Sequence, residues 1–397
     1  MEKFDKNKID RRYRFAKRFT LPYFGRIFKK KYGFKPYTVT LPDGPNIILC
    51  NHVTTYEPMI AVACCDKPMR IVTAKDFINI RFRRLFDKYF APIWKDKNLH
   101  DASVAVEIMR SLKAGCNVLM FPEGNRTFSS RLCYINEATA KLVRACRVNV
   151  VFLNFVGGFS IDPRFSLDYR KGKIDLIIRK TISKEEIAKM SLEEIEACIK
   201  ENLTVNDVPS AVPSISDKRA EKLERVLYRC PVCGAISTIY SHGNLVGCRS
   251  CGLEVTYGER LLFENPNKEE FKHKELYDWY KEQEDYVRSS VFEKDDLIYL
   301  DNDVNLEDIG LDHETMLSEH IKVMLFGDRL VVGEHEFPFA SIREMTVSGK
   351  QTFLFYVGDI TYRVSSSIVG FNALKYVQMY YHLYDKERGI EDKFLGI

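Results

Sequence analysis

At 397 residues the chain is longer than one ordinary domain, and two or three are expected. Its 45% hydrophobic content is ordinary for a globular protein, and the longest apolar stretch, Val148–Phe159, is interrupted by Asn and Gly. That excludes a transmembrane span, which needs about 20 apolar residues, and the net charge of +5 is mild but concentrated in the first 35 residues.

The N-terminus is basic and aromatic with no apolar run, so no signal peptide is read there. Eleven cysteines without an export signal then read as cytosolic thiols, not as a disulfide framework. Seven of them (Cys50, Cys64, Cys65, Cys116, Cys133, Cys146 and Cys198) sit mostly among apolar neighbours and read as core filler.

Residues 1–36 form a basic, aromatic arm. Arg11, Arg12, Arg14, Lys17, Arg18, Arg26, Lys29, Lys30 and Lys31 alternate with Phe15, Phe19, Tyr23, Phe24, Ile27 and Phe28. Leu21-Pro22 interrupts the pattern, so two short helices are expected in place of one. Aromatic rings opposite cations suit an interfacial helix on an anionic membrane surface, each cation contributing on the order of 1 kcal/mol. Two other readings rank below it. The rings could pack on the protein, or the charge could meet nucleic acid.

Residues 37–207 alternate strands and helices. Asn46–Cys50, Arg70–Thr73, Asn117–Phe121 and Val148–Phe155 read as strands, and Glu57–Cys65 as a short helix. Asp101 is a good N-cap for a helix with Val104, Ala105, Ile108, Met109 and Leu112 on one face, ended by Gly115. Ser183 with Glu186, and Ser191 with Glu194, form two capping boxes. The expected fold class is α/β, with a mainly parallel sheet and flanking helices.

Two motifs follow strands in this domain. Asn51-His52-Val53-Thr54-Thr55-Tyr56-Glu57-Pro58 comes after the first, and Phe121-Pro122-Glu123-Gly124-Asn125-Arg126-Thr127 after the third. Open α/β sheets place ligands at the carboxyl ends of their strands. The first motif offers a histidine and a carboxylate, the second a glycine turn and a guanidinium. Together they suggest a general base beside an anion clamp. Neutral imidazole suits proton removal near pH 7. Residues five apart on a helix point roughly 140° apart, so His52 and Glu57 can meet only if the chain turns between them.

This pair of motifs resembles the glycerolipid acyltransferase family, most closely the lysophosphatidic acid (1-acylglycerol-3-phosphate) acyltransferases, from about Thr38 to Asn206. The resemblance implies His52 as the base and Glu57 as its orienting partner. It implies that Glu123, Gly124 and Arg126 hold the phosphate-bearing acceptor. Lys75 matches a family lysine, and Lys97 stands where the family usually has Arg; both are candidate substrate contacts. The family usually has Asp in place of Glu57 and a proline within the fourth strand block, which Val148–Phe155 lacks. The implied reaction moves an acyl group from acyl-CoA or acyl carrier protein to lysophosphatidic acid, giving phosphatidic acid. The protein would then be cytoplasmic and peripheral on the membrane. The alternative reading is a catalytically inactive lipid-binding or membrane-docking scaffold.

Residues 208–228 read as a polar linker. In residues 229–264, Cys230-Pro-Val-Cys233-Gly and Cys248-Arg-Ser-Cys251-Gly have the spacing of a zinc ribbon. Four thiolates would close a tetrahedral, structural Zn2+ site. A connecting helix is expected in 265–290, spanning Glu269–Arg288. In 291–397, Gly327-Asp328, Ser348-Gly349-Lys350 and Gly358-Asp359 punctuate short strands, and Phe371–Tyr384 is amphipathic. That pattern resembles a pleckstrin-homology-like barrel capped by a helix.

Overall fold

The structure is a computed structural model and describes residues 5–74, 80–95, 102–208, 212–310, 314–368 and 370–387. The chain divides into two units. Unit 1 is Met1–Pro163 with Tyr169–Ser214, and unit 2 is Arg164–Asp168 with Ile215–Ile397.

Unit 1 opens with helix α1 (Lys6–Tyr32), a single element with Pro22 inside it. The expected break into two helices does not occur. An interior proline costs about 3 kcal/mol. On either side of it Tyr13, Phe28 and Tyr32 are buried, each contributing roughly 2 kcal/mol. Anchors on both sides of the proline outweigh the lost hydrogen bond.

After α1 come β1 (Asn46–Cys50), α2 (Glu57–Cys64), β2 (Met69–Ala74), α3 (Ile80–Phe90), β3 (Ile93–Lys95), α4 (Ala102–Lys113) and β4 (Asn117–Met120). Then follow α5 (Ala138–Cys146), β5 (Asn149–Val156), α6 (Gly158–Ile161), β6 (Asp175–Ile182), α7 (Lys184–Ile187) and α8 (Leu192–Leu203). Asp101, the expected cap of α4, lies outside the described residues.

The sheet order is β3-β2-β4-β1-β5-β6. The first five strands are parallel and β6 runs antiparallel to β5. All five residues of β1 are buried, because helices cover both faces of a central parallel strand. Pattern reading missed β6: its exposed side chains hide the alternation of a half-buried edge strand. The core joins Ile47 and Leu49 of β1, Val118 of β4 and Phe152 of β5 to Ile108, Val143 and Ile199 of the helices. α7 and α8 both start at their expected capping boxes.

Unit 2 begins with residues expected to be a linker. Ala220, Leu223, Val226 and Leu227 are instead fully buried. A four-stranded antiparallel sheet follows, with β7 (Ile239–His242), β8 (Leu245–Cys248), β9 (Glu254–Tyr257) and β10 (Phe263–Glu264). Helix α9 (Leu276–Ser289) starts later than its charge pattern predicts. Residues before it are held extended, with the Phe263 N–H donating to the Lys274 carbonyl at 2.7 Å.

The last sheet is antiparallel and seven-stranded: β11 (Tyr299–Ile309), β12 (Glu314–Leu325), β13 (Arg329–Val332), β14 (His335–Pro338), β15 (Ile342–Ser348), β16 (Thr352–Val357) and β17 (Ile360–Ser366). Its order is β14-β13-β12-β11-β17-β16-β15, and among the described residues no ladder joins β14 to β15. The three predicted turns all fall between paired strands.

Helix α10 (Ala373–Glu387) is buried on more than the one face its amphipathic pattern suggests. Tyr380 and Tyr381 donate to the carbonyls of Ile342 and Met345. Lys375 donates to Ser237 Oγ at 2.8 Å, and Gln378 bonds both Tyr228 and Tyr280. Buried polar groups are retained where each finds a partner.

Candidate active site and metal centre

β1 and β4 are parallel neighbours, with Leu49 level with Met120. The two motif loops therefore leave the same sheet edge side by side. Asn51 fixes the first loop to β5: its Nδ2 donates to the Phe155 carbonyl at 2.9 Å, and its Oδ1 accepts from the Phe155 N–H at 2.8 Å.

The chain turns through residues 53–56 and enters α2 at Glu57. That turn lets Glu57 fold back on His52. Glu57 Oε2 lies 2.6 Å from His52 Nδ1, and Oε1 accepts from the N–H groups of Val53 at 2.7 Å and Thr54 at 2.6 Å. The carboxyl group is fully buried, whereas the imidazole keeps 20% of its surface exposed. Facing a carboxylate, Nδ1 is the donor and Nε2 carries the lone pair. The ring also packs against Phe121, tilted by 35° with centroids 4.7 Å apart.

Glu123 is buried and ties the two motif loops together. Its carboxyl accepts from the backbone N–H of His52 at 2.7 Å and of Cys133 at 2.9 Å. Burial pushes this carboxyl up to about 8, against the pull of the two backbone donors. The Thr127 N–H returns a bond to the His52 carbonyl at 3.0 Å. Gly124 adopts φ +71 in the turn between, a left-handed conformation that glycine takes without strain.

Arg126 is oriented by a residue that the motifs did not reveal. Its Nη1 donates to Thr55 Oγ1 at 2.9 Å and its Nη2 to the Val53 carbonyl at 3.2 Å. Nη2 also donates to the Asp162 carbonyl and lies 3.5 Å from Asp162 Oδ1. The other oxygen, Oδ2, accepts from the Thr55 N–H at 2.9 Å and from Tyr32 at 3.1 Å. Asp162 is buried, and burial beside it holds the Tyr32 phenol well above its usual range.

The chain delivers Asp162 there through a tight turn after β5. Gly157 has φ +83, and a Cβ on it would fall 2.1 Å from the Lys173 carbonyl. Asp207 caps the turn by accepting from the N–H groups of Gly157 at 2.7 Å and Phe159 at 2.8 Å. Lys75 and Lys97 lie outside the described residues.

The catalytic-type pair, the buried tie and the held guanidinium thus converge at one sheet edge, inside a recognisable segment.

Residues 35–155 match the Acyltransferase family model.

That span holds both motif loops. It leaves out Asp162 and all of unit 2. One solved structure, the 1-acyl-sn-glycerophosphate (LPA) acyltransferase PlsC from Thermotoga maritima, is similar over 48% of this chain and 80% of that one, at 16% identity and a TM-score of 0.38. No curated protein matches the chain.

In unit 2, Cys230, Cys233, Cys248 and Cys251 come together, with all four sulfurs within 4.8 Å of one another. Two of the separations are 3.7 Å (Cys230 to Cys251) and 3.8 Å (Cys233 to Cys248). Four sulfurs about 2.3 Å from one tetrahedral centre would lie about 3.8 Å apart. The residues therefore fit a metal site with four cysteine ligands. Gly234 and Gly252, each directly after a cysteine pair, have φ +75 and +71, which turns the backbone around the sulfurs.

Proposed function

We propose that unit 1 is an O-acyltransferase that moves an acyl group from a thioester to the free hydroxyl of a phosphate-bearing lysolipid, lysophosphatidic acid being the expected acceptor. The observation that carries this reading is the His52–Glu57 pair at 2.6 Å, in a segment matching Acyltransferase.

His52 Nε2 takes the hydroxyl proton as the oxygen attacks the thioester carbonyl. Glu57 holds the Nδ1 proton and stabilises the imidazolium that forms. Collapse of the tetrahedral adduct breaks the C–S bond, and the imidazolium returns its proton to the leaving thiolate. The products are an ester and a free thiol, with no acyl-enzyme. The thioester carrier is coenzyme A or acyl carrier protein. Arg126, beside the pair, supplies positive charge for the acceptor's phosphate.

The membrane supplies the acceptor in this reading, and α1 meets it. Phe15, Phe19 and Tyr23 are more than half exposed at four-residue spacing, among Arg11, Arg14, Arg18 and Arg26. No helix among the described residues is long and apolar enough to cross a membrane. The basic and aromatic side chains on α1 suit docking on an anionic surface instead. The four cysteines hold a structural Zn2+, with no open position for chemistry. We take the seven-stranded sheet and α10 of unit 2 as a pleckstrin-homology-like docking module.

The test is a transfer assay with purified protein, a radiolabelled acyl thioester and a panel of lysolipids, run beside His52→Ala. Product from a phosphate-bearing acceptor that vanishes with His52→Ala supports the enzyme. A folded, zinc-loaded protein that transfers to no acceptor would instead be a lipid-binding scaffold.

A further inference from the structure

We propose that Lys31, seated between Tyr56 and Tyr169, is a second contact for the phosphate of the acceptor headgroup, donated by the helix that carries the exposed aromatic row. The inference rests on the acyl-transfer reading and adds to it a residue outside both motifs.

Lys31 Nζ lies 3.0 Å from the Tyr56 and Tyr169 phenol oxygens. It also sits 4.8 Å and 4.2 Å from their ring centroids. An ammonium has three donors and no acceptor, so both phenol oxygens accept from it. Each phenol keeps its own O–H, and neither O–H meets an acceptor among the described residues. The third ammonium N–H meets none there either. One N–H and two O–H groups are thus gathered at one point. Carrying a positive charge, such a donor set favours an anionic oxygen over an uncharged acceptor. Tyr169 is 38% exposed, so the trio is open to a ligand.

The trio adjoins Arg126 through two pairs of consecutive residues. Thr55 meets Arg126, and Tyr56 meets Lys31. Tyr32 meets Asp162, which faces Arg126, and Tyr32 directly follows Lys31. The Tyr32 ring packs edge-on against both Tyr56 and Tyr169, at 5.9 Å and 5.5 Å between centroids. The Asp162 carboxylate is engaged by Tyr32, Thr55 and Arg126. Two cations held by the consecutive residues Thr55 and Tyr56 favour a phosphomonoester, which carries up to two negative charges, over a zwitterionic or uncharged headgroup.

The experiment uses the full chain with Lys31→Met and Lys31→Arg. Transfer is measured to lysophosphatidic acid and to monoacylglycerol, which lacks phosphate. Losing one charge-assisted bond should raise the KM for lysophosphatidic acid about tenfold to a hundredfold. The kcat, the thioester KM and the monoacylglycerol KM should stay near wild type, and Lys31→Arg should recover part of the loss. An unchanged lysophosphatidic acid KM in Lys31→Met overturns the proposal. So does an equal loss on both acceptors with a lowered melting temperature, which would make Lys31 a structural tether. Calorimetric titration with glycerol 3-phosphate and with inorganic phosphate gives a readout that needs no turnover. Weaker glycerol 3-phosphate binding by Lys31→Met supports the site even if wild type transfers nothing, a result that would sink the enzyme reading alone. Inorganic phosphate bound as tightly as glycerol 3-phosphate would overturn the headgroup assignment in favour of a free-anion site.

Discussion

The backbone N–H of His52 donates to the buried Glu123 carboxyl at 2.7 Å, so a side chain of the loop after β4 holds the backbone of the loop after β1 at the histidine itself. The same carboxyl holds the Cys133 N–H at 2.9 Å. Glu123 thereby fixes where the imidazole stands.

Replacing that carboxyl should loosen the loop and change how stability depends on pH. Glu123→Gln offers one acceptor where two N–H donors converge, costing about 1–3 kcal/mol. The folded Glu123 carboxyl is pushed to about 8 from an ordinary 4.5. Between those values the native state binds more protons than the unfolded one, so stability falls as pH rises from about 4.5 to about 8. Melting curves across that range should slope downward more steeply for wild type than for Glu123→Gln. Parallel slopes would show that the carboxyl is not held protonated by burial.

Glu57→Gln tests the tautomer. The amide cannot act as a double acceptor toward Val53, Thr54 and His52 together. By the logic of a histidine orienter, kcat should fall by about three to four orders of magnitude with little change in acceptor KM. Near-wild-type kcat would remove Glu57 from the mechanism. Glu57→Asp restores the charge with a side chain one methylene shorter, and should retain more activity than Glu57→Gln.

Asp162→Asn leaves a side chain of the same size but removes the charge beside Arg126. Tyr32 and Thr55 can still bond to the amide oxygen, so folding should survive. The guanidinium keeps its bonds to Thr55 and to the Val53 and Asp162 carbonyls but loses the carboxylate it faces, and the acceptor KM should rise about tenfold, as expected for losing a charge-assisted contact. Steady-state kinetics with the acceptor varied would show it. A fall in kcat alone would mean that Asp162 serves the histidine loop instead.

Metal removal should act on unit 2. Structural thiolate sites of this kind contribute folding free energy directly. Trp279 Nε1 donates to the Arg229 carbonyl, next to Cys230, and so reports on the cluster. A strong zinc chelator, or Cys248→Ser, should shift Trp279 emission to the red in a Trp94→Phe background. Unchanged emission with metal shown to be absent would make the cluster dispensable for the fold.

Membrane docking by α1 predicts a salt-sensitive interaction. Phe15→Ser, Phe19→Ser and Tyr23→Ser together should abolish sedimentation with anionic vesicles. Each change should alter folding stability by no more than about 0.5 kcal/mol, as for exposed substitutions. Binding by the triple variant equal to wild type would assign docking elsewhere.

Short-range chemistry was legible in the sequence. The spacing of His52 to Glu57, the turn at Gly124, the four cysteines and the two capping boxes each depend on residues close along the chain. Their geometry follows from local backbone rules. The parallel strands β1, β4 and β5 were legible for a similar reason, since burial on both faces leaves a continuous apolar run. What only the tertiary structure decided are pairings across long stretches of chain. Asp162 reaches Thr55 over 107 residues and Tyr32 over 130, and Lys31 reaches Tyr169 over 138. No periodicity marks such partners, because their meeting is set by how the sheet stacks its loops. The same holds for Pro22, which local propensity reads as a break. Burial of Tyr13, Phe28 and Tyr32 against the rest of unit 1 keeps α1 whole, and that energy exists only once the domain has folded.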